Sequence, residues 1–154
     1  PTFDIVRQMC YQQDMSTIEI RPIGIVKRAS EDEGSSGEEL RARSARILLD
    51  PALEPAILGL APGDDILVVF YFHQSGEHPL QVHPRGDPNR PLRGVFATRA
   101  PVRPNPLGVT TVHIERIEGT ALEVTGLDAI DGTPVIDIKS HAPAFDTPYA
   151  EKGD

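Results

Sequence analysis

Between positions 94 and 108 the chain reads Gly-Val-Phe-Ala-Thr-Arg-Ala-Pro-Val-Arg-Pro-Asn-Pro-Leu-Gly, so that Arg99 and Arg103 stand among Pro101, Pro104 and Pro106. Each proline fixes its own φ and biases the residue before it toward extended backbone, which stiffens the loop without a helix. A guanidinium held still offers forked donors to a carboxylate or a phosphate, and this suits a ligand with an amino-acid tail or a nucleic-acid backbone. The same residues also fit a proline corner whose arginines pair with surface acids. His73, His78 and His83 form a second recurring pattern. A metal site needs three or four side chains converging on one point, and Pro79 and Pro84 break any regular element that could make these histidines converge. No metal is therefore expected: His73 is read as a hydrogen-bonding residue at a strand end, and His113 and His141 as structural. No G-x-G-x-x-G follows a strand, so a Rossmann-type cofactor site has no support.

Charge narrows the partners. The net charge of −8 over 154 residues argues against indiscriminate nucleic-acid binding. Between positions 79 and 113, however, Arg85, Arg90, Arg93, Arg99 and Arg103 face a single acid, Asp87, whereas residues 30–39 are acidic. Local sign governs what a surface attracts. The longest apolar run, residues 66–72, has the length of a buried strand and is far too short to span a bilayer, so no membrane association is expected. The first residues lack the pattern of a secretory signal, and Cys10 is the only cysteine, which together point to a cytoplasmic protein without an internal disulfide. Met15-Ser16-Thr17 looks like an ordinary translation start, so residues 1–17 are read as an extension.

The elements that must position these groups are mostly strands. Ile18, Ile20, Ile23 and Ile25 mark a first strand with a bend at Pro22, and residues 30–39 read as an exposed loop. A short strand at 45–49 precedes a helix capped by Asp50, with Pro51 in its first turn, Leu53, Ala56, Ile57 and Leu60 on one face, and Gly63 closing it. Residues 66–72, apolar on both faces, form a central strand after Asp65 that delivers His73 and Gln74 into a long loop rich in proline and glycine. Further strands are expected at 94–98, 109–117, 122–127 and 134–138, with a turn at Gly119. Many short strands, one helix and no βαβαβ alternation predict a mainly β chain, a compact single-domain barrel.

The string GVFATRAPVRPNPLGV at 94–109 resembles the signature of the tRNA methyltransferase O family, the YaeB-like proteins. Pro22-Ile23-Gly24-Ile25-Val26 is similar to that family's opening strand, Phe70-Tyr71-Phe72-His73-Gln74 to its F-x-F-H-Q strand end, and residues 127–139 to its L-D-x-x-D-G-T-P-V-x-D-I-K block. The likeness covers residues 19–145. It departs at 30–39, where an acidic stretch replaces a proline-rich segment that lines the family's cofactor site. The resemblance implies domain limits of 18–146, followed by a tail at 147–154, and a β-barrel that binds S-adenosylmethionine without a Rossmann fold. It also implies a homodimer that methylates N6 of threonylcarbamoyl-adenosine beside the anticodon of tRNA.

Carried over by position, the cofactor contacts are His73, Gln74, Arg99, Leu107, Asp128, Ile130, Asp131, Gly132, Thr133 and Pro134. Arg99 suits the cofactor carboxylate, backbone groups of the 131–134 turn suit an adenine edge approached closely at Gly132, and Leu107 offers apolar surface. The RNA surface is expected at Arg85, Arg90, Arg93 and Arg103. Methyl transfer needs in-line positioning and a group to take the proton from the attacking nitrogen. Asp131 or Asp137 are the candidates for that role, although Asp131-Gly132 is equally a turn pair. Two other functions fit parts of the sequence: a cofactor-binding sensor without RNA methylation, suggested by the acidic charge and the altered 30–39 segment, and a cupin-type metal enzyme, suggested only by β-richness and histidines.

Overall fold

In a computed structural model, which describes residues 17–149, alternation of small sets of branched and aromatic residues builds the walls. The chain contains β1 (Gly24–Lys27), β2 (Ala45–Leu49), β3 (Asp65–Tyr71), β4 (Gln81–Val82), β5 (Arg93–Gly94), β6 (Leu107–Glu118), β7 (Ala121–Thr125) and β8 (Pro134–Ser140). Val26, Ile47, Ile66, Val68, Phe70, Ile114, Leu122, Val124 and Val135 point inward and are almost wholly buried. Period-two burial of this kind makes one face of each strand core and the other surface. Six strands close into a barrel in the order β1-β2-β7-β6-β3-β8, with every pairing antiparallel. Closure satisfies strand edges that an open sheet would expose. β4 and β5 form a separate small ribbon.

Register decides which loops meet. Lys27 lies opposite Arg46, Ala45 opposite Val124, Tyr71 opposite Leu107 and Phe70 opposite Val135. β1, β3 and β7 therefore end, and β2, β6 and β8 begin, at the same rim. The connections 28–44, 72–106 and 126–133 all gather there. β6 also runs 12 residues against the 5 of β7, and their pairing stops at His113. Above that point the β7 side of β6 has no strand beside it among the described residues, which leaves a gap in the wall at this rim.

Several local expectations are corrected. Ile18 and Ile20 are exposed outside any strand, because β1 begins only at Gly24. Residues 30–39 are not an open loop: a 3-10 turn at Ser30–Asp32 is followed by α1 (Gly37–Arg41), and Asp32 is buried. The helix after Asp50 is a 3-10 segment, Pro51–Ile57, since Pro55 lacks the N–H that an α-helix would need there. Asp50 does cap it, accepting from Ala52 N at 2.9 Å. Of the strand expected at 94–98 only Gly94 is in β5, and Val95–Ala97 is a 3-10 turn. A second short helix, α2 (Pro143–Asp146), follows β8, so the single expected helix is instead two short ones with several 3-10 turns. Among the described residues no helix is long and apolar enough to cross a membrane. Cys10 and Met15, with the remainder of residues 1–16 and residues 150–154, lie outside the described residues.

Candidate functional site

The gap in the barrel wall opens into a cleft of about 630 Å³. Phe70 and Phe72 form its base, packed edge to face with ring centroids 5.2 Å apart. Leu107, Gly108, Val109, Thr110 and Thr111 form the β6 wall, and Phe96, Thr98, Arg99, Arg103, Pro104 and Asn105 the opposite wall. Gly108 is required here, because a Cβ at that position would come within 2.6 Å of the Phe70 ring. Arg41 and Asp128 complete the lining.

The charged groups of the cleft differ in what they already bind. Arg103 Nη1 donates to Thr98 O at 3.1 Å and Ala100 O at 3.3 Å, so it holds the proline loop in shape. The Ser75 hydroxyl donates to Pro101 O at 3.2 Å and ties the same loop to the end of β3. Arg99 is exposed and has no acid partner among the described residues. Asp128 Oδ1 accepts from the Thr110 hydroxyl at 2.6 Å, which fixes the carboxylate at the mouth. A free guanidinium and an oriented carboxylate facing one cleft match the two ends of an α-amino acid.

The loop that carries Asp128 is held by a buried cation. Arg28 Nε donates to Ala129 O at 2.6 Å, Nη2 donates to Leu127 O, and Nη1 donates to Leu40 O at 3.3 Å. Its side chain is 1% exposed and lies 3.7 Å from the Asp32 carboxylate, which also accepts from Arg43 at 2.7 Å. Burial pushes the Arg28 pKa down, opposed by Asp32 and Asp128. An unpaired charge at this depth would be costly, so Asp32 is its necessary counter-ion. The backbone N–H of Arg28 donates to Asp131 Oδ1 at 2.8 Å, which makes Asp131 a turn-fixing group. Gly132, at φ +80°, donates to Val26 O, and the buried Thr133 donates its hydroxyl to Ile130 O.

The expected site residues thus fall into groups. Arg99, Leu107 and Asp128 line the cleft. His73, Gln74, Ile130, Asp131, Gly132, Thr133 and Pro134 lie on the same rim outside the lining, and His73 Nε2 is 3.8 Å from where a Gly132 Cβ would be. Asp137 pairs with Lys139 at 2.8 Å in β8, so neither candidate proton acceptor lines the cleft. Arg85, Arg90 and Arg93 are exposed around the β4–β5 ribbon, with Arg90 3.6 Å from Asp87. His83 Nδ1 is 2.7 Å from Arg90 O, and His113 and His141 meet Asp65 and Asp146. Among the described residues no group of three or more His, Cys, Asp or Glu could hold a metal ion.

The profile of the tRNA-methyltransferase O N-terminal domain matches residues 30–147. The chain belongs to this family. A probable S-adenosyl-L-methionine-binding protein of Methanothermobacter thermautotrophicus is 39% identical over 132 residues, covering 84% of this chain and 94% of that protein. The human tRNA (adenine(37)-N6)-methyltransferase is 38% identical over 112 residues, 71% of this chain but only 24% of that enzyme. Among solved structures, TrmO from Pseudomonas aeruginosa superposes with a TM-score of 0.63 at 29% identity, covering 90% of this chain and 61% of that one. The chain therefore spans about three fifths of the length of the solved TrmO structures it matches.

Within the tRNA methyltransferase O family barrel, three contributions were not read from the sequence: the Arg28 clamp, the aromatic Phe96, left 82% exposed on the cleft, and Arg41. Only the first had a local signal. Arg28 stands two positions after the buried Val26 of β1 and four before Asp32, close enough in the chain for the pair to meet across one turn.

Proposed function

We propose that this chain is an S-adenosylmethionine-dependent methyltransferase of the cytoplasm that acts on N6 of threonylcarbamoyl-adenosine beside the anticodon of tRNA, within a domain at 18–146. The observation that carries the reading is the Arg99–Asp128 cleft at the split between β6 and β7, in a chain whose relatives bear the names given above. The residues fit the cofactor. Arg99 pairs with the carboxylate of its amino-acid tail, Asp128 accepts from its ammonium or ribose hydroxyls, and Leu107 covers apolar surface. The β6 backbone above His113, without a neighbouring strand on the β7 side, supplies hydrogen-bonding groups for an adenine edge. When bound, the cofactor supplies an electrophilic methyl group.

What the protein adds is position: the proline loop and the Arg28-held loop fix both walls, so that the acceptor nitrogen approaches in line. Asp128 is the one carboxylate in the lining among the described residues, which makes it the candidate to take the nitrogen's proton. Arg85, Arg90 and Arg93 on the same rim attract the RNA backbone. A homodimer is part of the same reading, and Tyr71, 40% exposed at the end of β3 and outside the cleft lining, offers apolar surface for it. Sedimentation of a dilute sample should give a dimer mass, and a concentration-independent monomer would refute that part of the reading.

The deciding experiment incubates the protein with labelled S-adenosylmethionine and tRNA from cells lacking the modification, then identifies nucleosides by mass spectrometry. Methylated threonylcarbamoyl-adenosine is expected. Cofactor binding without transfer to any tRNA would instead favour a sensor, the reading that the acidic 30–39 segment supports.

A further inference from the structure

The short helix α1 that closes the acidic segment places one cation on the cleft. Arg41 is the last residue of α1, is exposed, and has no acid partner among the described residues. The nearby acid Glu39 is committed elsewhere: its carboxylate accepts from Ser36 N at 2.7 Å, closing a capping box, and this contact lowers its pKa. The backbone at Arg41 is held from several sides. Leu40 is buried and its carbonyl accepts from Arg28, Gly126 N donates to Arg41 O at 3.1 Å, and Arg43 bonds to Asp32 and Ser35. A short helix fixed this firmly sets the position of the Arg41 backbone at the cleft and so bounds where its guanidinium can reach.

Charge then indicates the ligand. S-adenosylmethionine brings one carboxylate against an ammonium and a sulfonium, so it is a net cation. Arg99 and Asp128 already match its amino-acid tail, and a further guanidinium facing the loaded cleft would be repelled by the sulfonium unless a second anion lies between them. Resting on the methyltransferase reading above, we propose that Arg41 is a specificity-determining residue that binds an oxyanion of the acceptor RNA, either the carboxylate of a substituent on the target adenine or an adjacent phosphodiester.

The test compares the wild-type protein with Arg41→Gln and Arg41→Lys, reading cofactor affinity by calorimetry, tRNA affinity by filter binding, and KM and kcat for methyl transfer. Arg41→Gln should leave the cofactor Kd within about two-fold and raise the tRNA KM and Kd by about ten-fold, the effect of losing one charge-assisted hydrogen bond. Arg41→Lys should recover part of the loss by keeping the charge. Two tRNAs distinguish the source of the anion. A loss confined to tRNA bearing the carboxylate-substituted adenine assigns Arg41 to that carboxylate; an equal loss on both, with the salt slope reduced by about one, assigns it to a phosphate. Cofactor binding weakened ten-fold, or tRNA affinity unchanged on both RNAs, would overturn the proposal. If the wild-type protein binds cofactor but transfers no methyl group, the methyltransferase reading fails, while direct tRNA binding by the wild type and Arg41→Gln still decides the role of Arg41.

Discussion

Three arginines on one rim show how little a residue type says about its task. Arg28 is buried and donates to backbone carbonyls, Arg103 holds its own loop, and Arg99 is left open to the cleft. Only a guanidinium without an internal partner can bind a ligand without first breaking a bond. Arg99→Ala is therefore expected to weaken S-adenosylmethionine binding by about 1.5–3 kcal/mol, a ten- to hundred-fold change measured by calorimetry, with the melting temperature little altered. An unchanged dissociation constant would remove Arg99 from the site. The stiff proline loop and its arginines were readable in the sequence because proline restricts the backbone wherever it stands. Which arginine stays open was not, since that depends on carbonyls brought close only by the folded loop.

At the scale of elements, β6 and the proline loop before it make the cleft, and Arg28 after β1 holds the loop that carries Asp128. Gly108→Ala would drive a methyl group into the Phe70 ring, which is 2% exposed and has nowhere to retreat. Overpacking of this kind costs about 1–3 kcal/mol, and urea unfolding should show it as a lower midpoint at unchanged slope. The clamp is more exacting. Arg28→Ala removes the donor to Leu127 O and Ala129 O and leaves buried Asp32 with Arg43 as its remaining cation, so about 3–5 kcal/mol of stability should be lost. Cofactor affinity should fall with it, because the loop that carries Asp128 is released, and intact affinity in a folded variant would refute the clamp. β6 and β7 were legible from period-two patterning, and β3 from its continuous apolar run. The 30–39 segment was not, because Asp32 is buried by pairing with Arg28 and Arg43 on either side of it, although the Ser36–Glu39 capping box within it is a local signal.

The whole molecule is acidic, yet its rims differ. At the start of β3, and two residues along β6 from the cleft-lining Thr111, His113 Nδ1 meets Asp65 Oδ1 at 2.8 Å, and this bond raises the imidazole pKa above its ordinary 6.5. A raised pKa in the folded state means that the pair contributes stability below the unfolded value and loses that contribution as pH rises through the folded one. Proton NMR should place the His113 titration above 6.5, and Asp65→Asn should return it toward that value while flattening the dependence of thermal stability on pH just above 6.5. Both side chains are solvent-exposed, so the change in stability should be small.

By itself the sequence determined the fold class, the family and two of the stretches that line the cleft, because hydrophobic alternation and proline restriction act locally and the motif blocks are contiguous. The tertiary structure decided the rest. Register brought three distant connections to one rim, the unequal lengths of β6 and β7 opened the wall, and a buried Arg28 joined residues about a hundred positions apart. Such contacts have no local periodicity from which they could be read, since each depends on where the closed barrel places a partner remote in the chain.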